Sequence, residues 1–373
     1  MNLRIVFATV LPLVCLCAVQ PLIADTPPAI GPSAEALQQS RERAVRFLRN
    51  SQGNDGSWTA PNAPGICGLV TTALLVSGLL PDDPTVVAAV GHLETHIKPD
   101  GGVYATDSRH RNYETCIAMM AFRYAGQDRS YDEVLANAEA LLRNLQWDQG
   151  EGIESSDPGF GGAGYGRHER PDLSNTSFLI EALHASGAGP DDPAMKKALM
   201  FVSRCQNLES EYNTTEFAAK INDGGSFYTA AAGGASQAGE TSDGGLRSYG
   251  SMTYAALKSM IYAGLDGEDK RVAATVRWIR TFYTVAENPG LGRQGVYYYY
   301  HTFAKALDTL GDDFIEDNSG EHHDWRRELA EKLFELQREN GSWVNEAPRW
   351  YEGDPNLATA YSLLALSYCD GNR

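Results

Sequence analysis

The sequence predicts an all-α fold, an (α/α)6 toroid in which two concentric rings of six helices form a single domain. Three observations predict it. A helical run ends in a glycine-and-aromatic turn six times along the chain, and a second helical run follows each turn. The first runs are amphipathic and the second runs are apolar on most sides. The alternation continues from about residue 34 to residue 369 without a linker, as expected of copied units that bury their apolar faces only against their neighbours.

The turns share a glycine and an aromatic residue, and a glutamine precedes four of the six. In the two clearest copies Gln52 leads to Asp55–Trp58 and Gln337 leads to Asn340–Trp343. The looser copies are Asp100–Tyr104, Gly159–Tyr165, Asp223–Phe227 and Asn288–Tyr297. We expect the glycine to supply a positive φ angle and the glutamine amide to bond backbone groups at a neighbouring helix end, with the aromatic ring packed on the turn.

The first helix of each pair has the pattern of an outer helix. Glu42–Arg49 and Arg326–Leu333 carry apolar residues along one stripe and charged residues elsewhere. A period of 3.6 residues of this kind indicates a surface helix with one buried face.

The second helix of each pair has the pattern of a buried, inner helix. Apolar and small residues dominate all six, as in Thr71–Val76. Helices that are apolar on most sides belong in a buried layer. The predicted inner helices are about Ile66–Leu79, Tyr113–Ala125, Asn175–Ala185, Ser251–Ala263, Tyr298–Leu310 and Asn356–Tyr368.

The termini and one insertion complete the predicted domain organisation. Arg4, a following apolar run and a small residue at Ala24 are typical of a secretory signal peptide over residues 1–24, so we expect a secreted or periplasmic protein with no membrane span in the mature chain. Residues 25–33 form an extended lead-in, and residues 34–373 form the toroid. The only long departure from the repeat is 207–247, which we interpret either as a mobile loop that roofs one face of the ring or as a tolerated insertion without a role.

Charge and cysteine content exclude several classes of function. The 373 residues carry 31 Lys and Arg against 48 Asp and Glu, a formal net charge of −17. No basic face is evident, which argues against a nucleic-acid partner and weakens any proposal of an acidic polysaccharide substrate. The four cysteines beyond residue 24 are too sparse for a disulfide scaffold. Cys67 and Cys116 lie early in consecutive inner helices, and buried thiols are favoured there over a disulfide.

The repeats at Gln52–Trp58 and Gln337–Trp343 resemble the QW-type repeat of the squalene cyclase and prenyltransferase β-subunit superfamily. The resemblance extends over nearly all of the chain beyond the signal peptide. It implies an α/α toroid whose inner helices surround a cavity, which holds an isoprenoid chain in related enzymes. The chain lacks the Asp-x-Asp-Asp acid of the cyclases and the Asp-x-Cys zinc ligands of the prenyltransferases. Glu114-Thr115-Cys116 is the nearest substitute for those ligands.

Polar residues at the starts of the inner helices are the candidate site, because these helices all open toward one end of such a ring. Helix N-termini concentrate partial positive charge and favour anionic or carbonyl groups. The aspartates there are also natural helix caps. The candidate ligand-binding residues are Tyr113, Cys116, Asp172, Asn175, Tyr249, Tyr254, Tyr297 and Tyr300, and the candidate catalytic residues are His301, Asp354 and Glu114.

The run Tyr297–His301 is the least ordinary segment. At 100° per residue Tyr297, Tyr300 and His301 share one face of a helix. If that face points into a cavity, it positions a polar substrate or supplies a general base. The alternative is an aromatic packing layer.

We expect no resident cofactor and no metal. His92 and His96 are spaced to share a metal ion, but no third ligand stands near them in the sequence. Gly159–Gly164 matches the dinucleotide-binding fingerprint but follows a helix and a loop instead of a strand. Acidic residues of 312–317 resemble a magnesium motif and are interpreted as a solvated loop.

Three functions remain open. The first is a toroid whose central cavity binds an isoprenoid or another small hydrophobic ligand. The second is a binding or scaffold protein without catalysis. The third is a glycan-active lyase or hydrolase, since such enzymes also use α/α rings.

Overall fold

The structure is a computed structural model that describes residues 30–126, 130–166 and 170–371. Within these residues the chain forms twelve α-helices. Their bounds are α1 Ala34–Ser51, α2 Pro64–Val76, α3 Pro84–Glu94, α4 Arg111–Ala125, α5 Asp132–Leu145, α6 Leu173–Ala185, α7 Pro193–Arg204, α8 Gly250–Tyr262, α9 Lys270–Phe282, α10 Val296–Leu310, α11 Trp325–Leu336 and α12 Pro355–Ser367. The predicted signal peptide lies outside the described residues.

The even-numbered helices form a closed inner ring. Each packs against the next, and α12 packs against α2. The odd-numbered helices surround this ring: α3 packs against α2 and α4, α7 against α6 and α8, and α1 against α12. The predicted all-α toroid is confirmed.

Burial separates the two rings. The inner helix α12 buries every residue from Asn356 to Ser367. The outer helix α1 buries five of its eighteen residues, among them Leu37 and Leu48 on one face. The observed inner helices begin and end within three residues of the predicted positions.

The turns join each unit to the next outer helix. The Nε2 amide of Gln52 donates to the carbonyl of Gly56 at 3.0 Å and to that of Thr85, at the start of α3, at 2.9 Å. Gln146, Gln206 and Gln337 make the corresponding pair of bonds at their own turns.

Glycine is required where a turn meets that helix. A Cβ atom at Gly161 would lie 1.9 Å from the carbonyl oxygen of Lys197 in α7, and the φ angle of Gly161 is +84°. Only glycine fits so close to a neighbouring backbone in this conformation.

The last turn closes the ring onto the first helix. The amide of Gln337 bonds the carbonyl of Ser40 in α1, and the indole of Trp343 donates to the carbonyl of Leu333 at 2.8 Å. Between α10 and α11 the chain adds an antiparallel hairpin of two short strands, β1 Ile315–Glu316 and β2 His322–His323.

The segment 207–247 is packed against the ring. Asn207, Phe227 and Leu246 are buried, and isolated bridges such as Thr229 to Ala235 fold the segment back on itself. It is therefore not a loop that lies wholly on the surface.

None of the helices in the described part of the chain has the length and apolar character that a bilayer span requires. The four described cysteines, Cys67, Cys116, Cys205 and Cys369, are buried free thiols. The preference for thiols over a disulfide between Cys67 and Cys116 is confirmed.

Candidate functional site

Described residues of the inner ring line two cavities of interest. The mouth compartment has a volume of about 920 Å³ and is lined by the first residues of the inner helices and by the loops that precede them. The far compartment has a volume of about 280 Å³ and is lined by residues nearer the helix C-termini. All six inner helices therefore begin at the mouth.

A layer of aromatic side chains stands between the two compartments. Phe178 lines both cavities, and its ring meets that of Tyr113 edge-on with centroids 5.1 Å apart. The hydroxyl groups of Tyr113 and Tyr361 lie 3.3 Å apart, and the ring of Tyr298 packs against that of Tyr361 at 5.8 Å. Edge-to-face contacts at these distances favour a fixed arrangement of the rings.

The wall of the mouth compartment is rich in tyrosine. Tyr165, Tyr228 and Tyr249 line it beside the layer, and Tyr228 comes from the segment 207–247. The wall presents apolar ring faces with hydroxyl groups at their edges, a surface that suits a mainly apolar ligand with some polar groups.

An aromatic turn forms part of the rim. Trp350 and Tyr351 have φ angles of +54° and +64°, which are rare for residues with a side chain, and their side chains are 42% and 77% exposed. The guanidinium of Arg349 lies over the ring of Trp350 at 4.2 Å. The turn therefore holds a large exposed apolar surface at the entrance.

Of the three candidate catalytic residues, Glu114 is the one that lines the mouth compartment. Its side chain is buried, and Oε2 accepts a hydrogen bond from the backbone N–H of Ala105 at 3.0 Å. Burial raises the pKa of Glu114 above its ordinary value.

Asp172 lies behind the wall of the mouth as the cap of α6. One oxygen accepts from the backbone N–H of Asn175 and the other from its side-chain amide, both at 2.8 Å. Burial raises the pKa of Asp172 to about 6, and a hydrogen bond with Tyr228 connects this carboxyl group to the cavity wall. Neither Asp172 nor Asn175 itself lines either compartment.

Asp354 is also committed to a helix terminus. Its Oδ1 accepts from the backbone N–H groups of Asn356 and Leu357 at 2.8 and 3.0 Å, and its Oδ2 accepts from the hydroxyl of Thr59 at 2.9 Å. It lines neither compartment. The capping interpretation therefore accounts for the contacts of Asp354.

Glu352 is a mouth residue that the sequence analysis missed. The N-cap residue of α10 is Gly295, which offers no side-chain cap, and Oε1 of Glu352 accepts from the backbone N–H of Tyr298 at 2.8 Å. Oε2 accepts from the side-chain amide of Asn345 at 2.7 Å. Burial raises the pKa of Glu352. Because the contact spans 54 residues, no local pattern marks it.

The predicted face of α10 needs correction. Tyr297 and Tyr300 line neither compartment, and the hydroxyl of Tyr300 donates to the carbonyl of Val285 at 2.9 Å in the outer wall. The cavity side of α10 instead carries Tyr298, His301 and Lys305. The packing-layer interpretation fits the first two tyrosines.

The remaining candidates divide between the wall and the compartments. Tyr249 lines the mouth, and Cys116 lines the far compartment. Tyr254 is packed in the wall against the rings of Tyr299 and Phe303. Tyr254 lines neither compartment.

The far compartment holds a charged cluster. Glu181 of α6 accepts from the ammonium of Lys258 of α8 at 2.7 Å and from that of Lys305 of α10. His301 lines the same cavity, and burial lowers its pKa to about 3, so its imidazole is neutral at neutral pH. In the sequence, this cluster is marked by three charged residues that lie inside otherwise apolar helices.

A separate group of residues on the hairpin has the composition of a cation site. The ligand atoms of Asp317, Glu321 and His323 lie within 4.8 Å of one another. Nδ1 of His323 is already 2.9 Å from Glu328, and Oδ1 of Asp317 already accepts from Ser319 and Glu321. His92 and His96 belong to no group of three such ligands among the described residues.

Comparison with solved structures identifies the fold. A protein from Actinoplanes superimposes with a TM-score of 0.50 at 16% identity, over 89% of this chain and 99% of that chain. The apo type II terpene cyclase MstE from Scytonema superimposes with a TM-score of 0.52 at 12% identity, over 89% of this chain and 98% of that chain. The chain has a terpenoid-cyclase-like fold.

The resemblance seen in the QW-type repeats is thus confirmed at the level of the fold. No protein-family model matches the sequence, and no curated protein matches it.

Proposed function

We propose that this protein is exported and that its mouth compartment binds an isoprenoid or a similar lipid with a polar end. The observation that supports it is a cavity of about 920 Å³ whose lining includes seven tyrosines and Phe178 among other apolar and polar residues. Cavities of about 300–1,000 Å³ with mainly apolar walls and a few polar groups are typical of small-molecule sites. A scaffold that had lost its ligand would have no need of such a cavity.

The apolar part of the ligand packs between the aromatic layer and Met252, and its polar end lies near the rim. Burying hydrocarbon against these rings contributes about 25 cal/mol per Å² of apolar surface removed from water. Type II terpene cyclases share the fold, which agrees with a ligand of this chemistry.

Binding of a C20 isoprenoid alcohol, geranylgeraniol, tests the proposal. The purified chain is titrated with the alcohol, and complex formation is followed by native mass spectrometry and by tryptophan fluorescence. Ser174 lines the mouth, and its hydroxyl is 3.0 Å from that of Tyr298. Ser174→Phe places a ring in the cavity, whereas Ser174→Ala removes the same hydrogen bond without adding bulk.

We expect wild type and Ser174→Ala to bind and Ser174→Phe to lose binding by tenfold or more, roughly. Equal binding by Ser174→Phe, with the fold intact by circular dichroism, would place the ligand elsewhere and reject the proposal.

A glycan ligand is the second candidate, and the buried carboxyl group of Glu114 favours it. A carboxylic acid with a raised pKa on the cavity wall suits a general acid for glycosidic bonds. Cello- and chito-oligosaccharides in the same titration test this. Binding of a sugar without the alcohol, with product formation lost in Glu114→Gln, would favour the glycan.

Export is tested separately. The proposed signal peptide predicts that the secreted chain begins at Asp25, which N-terminal sequencing of the exported protein measures. An intact N-terminus on a cytosolic protein would contradict it.

A further inference from the structure

The far compartment contains more buried positive than negative charge. The side chains of Glu181, Lys258 and Lys305 are each at most 10% exposed, and the one carboxylate contacts both ammonium groups. Among the described residues, Glu181 is the charged group that raises the pKa of each lysine. The other groups that shift the pKa values of these lysines are tyrosines, a thiol and the second lysine. With both lysines charged, the cluster carries an excess of one positive charge.

An excess charge in a buried position is costly unless an anion compensates it. The penalty for removing an ammonium from water is several kcal/mol, and one carboxylate compensates fully for only one of the two lysines. Burial lowers the pKa of Lys258, the direction expected where a counter-charge is missing. The cluster therefore has the electrostatic requirement for a second anion.

The geometry provides a place for this anion. Lys305 and His301 both lie on the wall of the far compartment, one turn apart on α10. Nδ1 of His301 has no hydrogen-bond partner among the described residues, although the side chain is 6% exposed. This nitrogen has almost no accessible surface, so the donor that the wall offers to an anion is the ammonium of Lys305.

Apolar residues of other helices complete the lining of the compartment. Leu69, Ile117, Met120 and Leu364 come from α2, α4 and α12, whereas the charged residues come from α6 and α10. A cavity of about 280 Å³ with charged groups and hydrocarbon in its lining suits a small molecule that carries both. Tyr124, which is 37% exposed, also lines the compartment and extends it to the surface at the end of α4.

We infer that the far compartment is a second ligand site, which binds an organic monocarboxylate with a short apolar tail. The carboxylate accepts a hydrogen bond from the ammonium of Lys305, the neutral ring of His301 lines the same wall, and the tail packs against the apolar residues of the compartment. A single negative charge balances the excess charge of the cluster. The site lies beyond the aromatic layer and does not depend on what the mouth compartment binds.

Octanoate and octanamide are matched probes, because they share the tail and differ in the charge of the head group. Isothermal titration calorimetry of the wild-type chain is expected to detect octanoate and to show binding of octanamide at least tenfold weaker, roughly, since charge-assisted hydrogen bonds are about twice as strong as neutral ones. Equal affinities for the two probes would overturn the inference, and this arm needs no variant.

Lys305→Met locates the site. It leaves Glu181 paired with Lys258 alone, so the charge balance is restored without a ligand and the variant is expected to fold. We expect its octanoate affinity to fall by about tenfold or more. Lys196→Met is the control, because Lys196 is an exposed lysine on α7 that pairs with Asp191.

Wild-type affinity in Lys305→Met would overturn the inference, as would an equal loss in Lys196→Met. Ser174→Phe, which places a ring in the mouth, is expected to keep octanoate binding. Failure of the two proposals is therefore distinguishable with one set of proteins.

Discussion

The mouth and far compartments lie in one ring, but the carboxylates near them are stabilised in different ways. At the mouth, Asp172, Glu352 and Asp354 accept hydrogen bonds from backbone N–H groups at helix N-termini. In the far compartment, Glu181 pairs with the side chains of Lys258 and Lys305. The helix termini carry the partial positive charge that stabilises the first set, whereas the second set depends on side chains alone.

This difference explains why the two walls suit different ligands. The carboxyl groups of Asp172, Glu352 and Asp354 are occupied by backbone N–H groups, and the wall of the mouth carries many aromatic rings. In the far compartment the side-chain charges do not cancel, and the surface left for a ligand includes the ammonium of Lys305. The comparison predicts that removing a carboxylate charge lowers the free energy of unfolding more in the far compartment than at the mouth.

Glu181→Gln should give the largest effect. It leaves two buried ammonium groups without a carboxylate, and breaking a buried ion pair from one side costs about 3–5 kcal/mol. Urea denaturation measures the free energy of unfolding. The control is the triple variant Glu181→Gln, Lys258→Met and Lys305→Met, which removes all three charges and should recover most of the loss. A loss below about 1 kcal/mol in the single variant would contradict the comparison.

The fold was predictable from the sequence because the turns encode it locally. Gln52, Gly56 and Trp58 lie within seven positions, and their bonds to the turn and to the next helix are those expected of such residue types. The inner helices were located because their apolar character persists over three to four turns. Neither inference required long-range information.

The orientation of the inner helices was not predictable in the same way. A helical wheel groups residues on one face, but it does not state which face points inward when every face is apolar or aromatic. In α10 the inward face carries Tyr298, not Tyr297 or Tyr300, because the packing of neighbouring helices sets the rotation. Charged residues within these helices were the better signal, since Lys258 and Lys305 need a partner and point toward Glu181.

The pH dependence of stability should show the second-largest effect. Burial lowers the pKa of His301 from 6.5 to about 3, so the unfolded chain binds a proton at this residue more readily than the folded chain. The resulting penalty is absent above pH 6.5, grows as the pH falls, and levels off below about pH 3. Between pH 7 and pH 5 it amounts to about 2 kcal/mol.

His301→Asn removes this titrating group. The free energy of unfolding of the variant should therefore fall by about 2 kcal/mol less than that of wild type between pH 7 and pH 5. Guanidinium denaturation at pH 7 and pH 5 measures it, and any cost of the lost ring cancels in the difference. His322→Asn is the matched substitution at a second histidine, which lies on the exposed side of the hairpin. Parallel curves for wild type and His301→Asn would show that the imidazole is not held neutral.

At the mouth, Glu352→Gln should cost about 1–2 kcal/mol, the usual worth of a helix cap with a hydrogen bond to a charged group. The amide oxygen can still accept from the N–H of Tyr298, which limits the loss. Glu346→Gln, at an exposed carboxylate that pairs with Arg293, should change the free energy of unfolding by less than about 0.5 kcal/mol. A cost for Glu352→Gln as large as that for Glu181→Gln would remove the distinction between the two ends of the ring.

The smallest effect should come from the aromatic layer that separates the compartments. The hydroxyl groups of Tyr113 and Tyr361 are 3.3 Å apart, and a neutral hydrogen bond contributes about 0.5–1.5 kcal/mol. A double-mutant cycle of Tyr113→Phe and Tyr361→Phe should give a coupling energy of about 0.5–1 kcal/mol, because the rings keep their contacts with Phe178 and Tyr298 in every variant. A coupling above about 2 kcal/mol would mean that this hydrogen bond, and not ring packing, holds the layer in place.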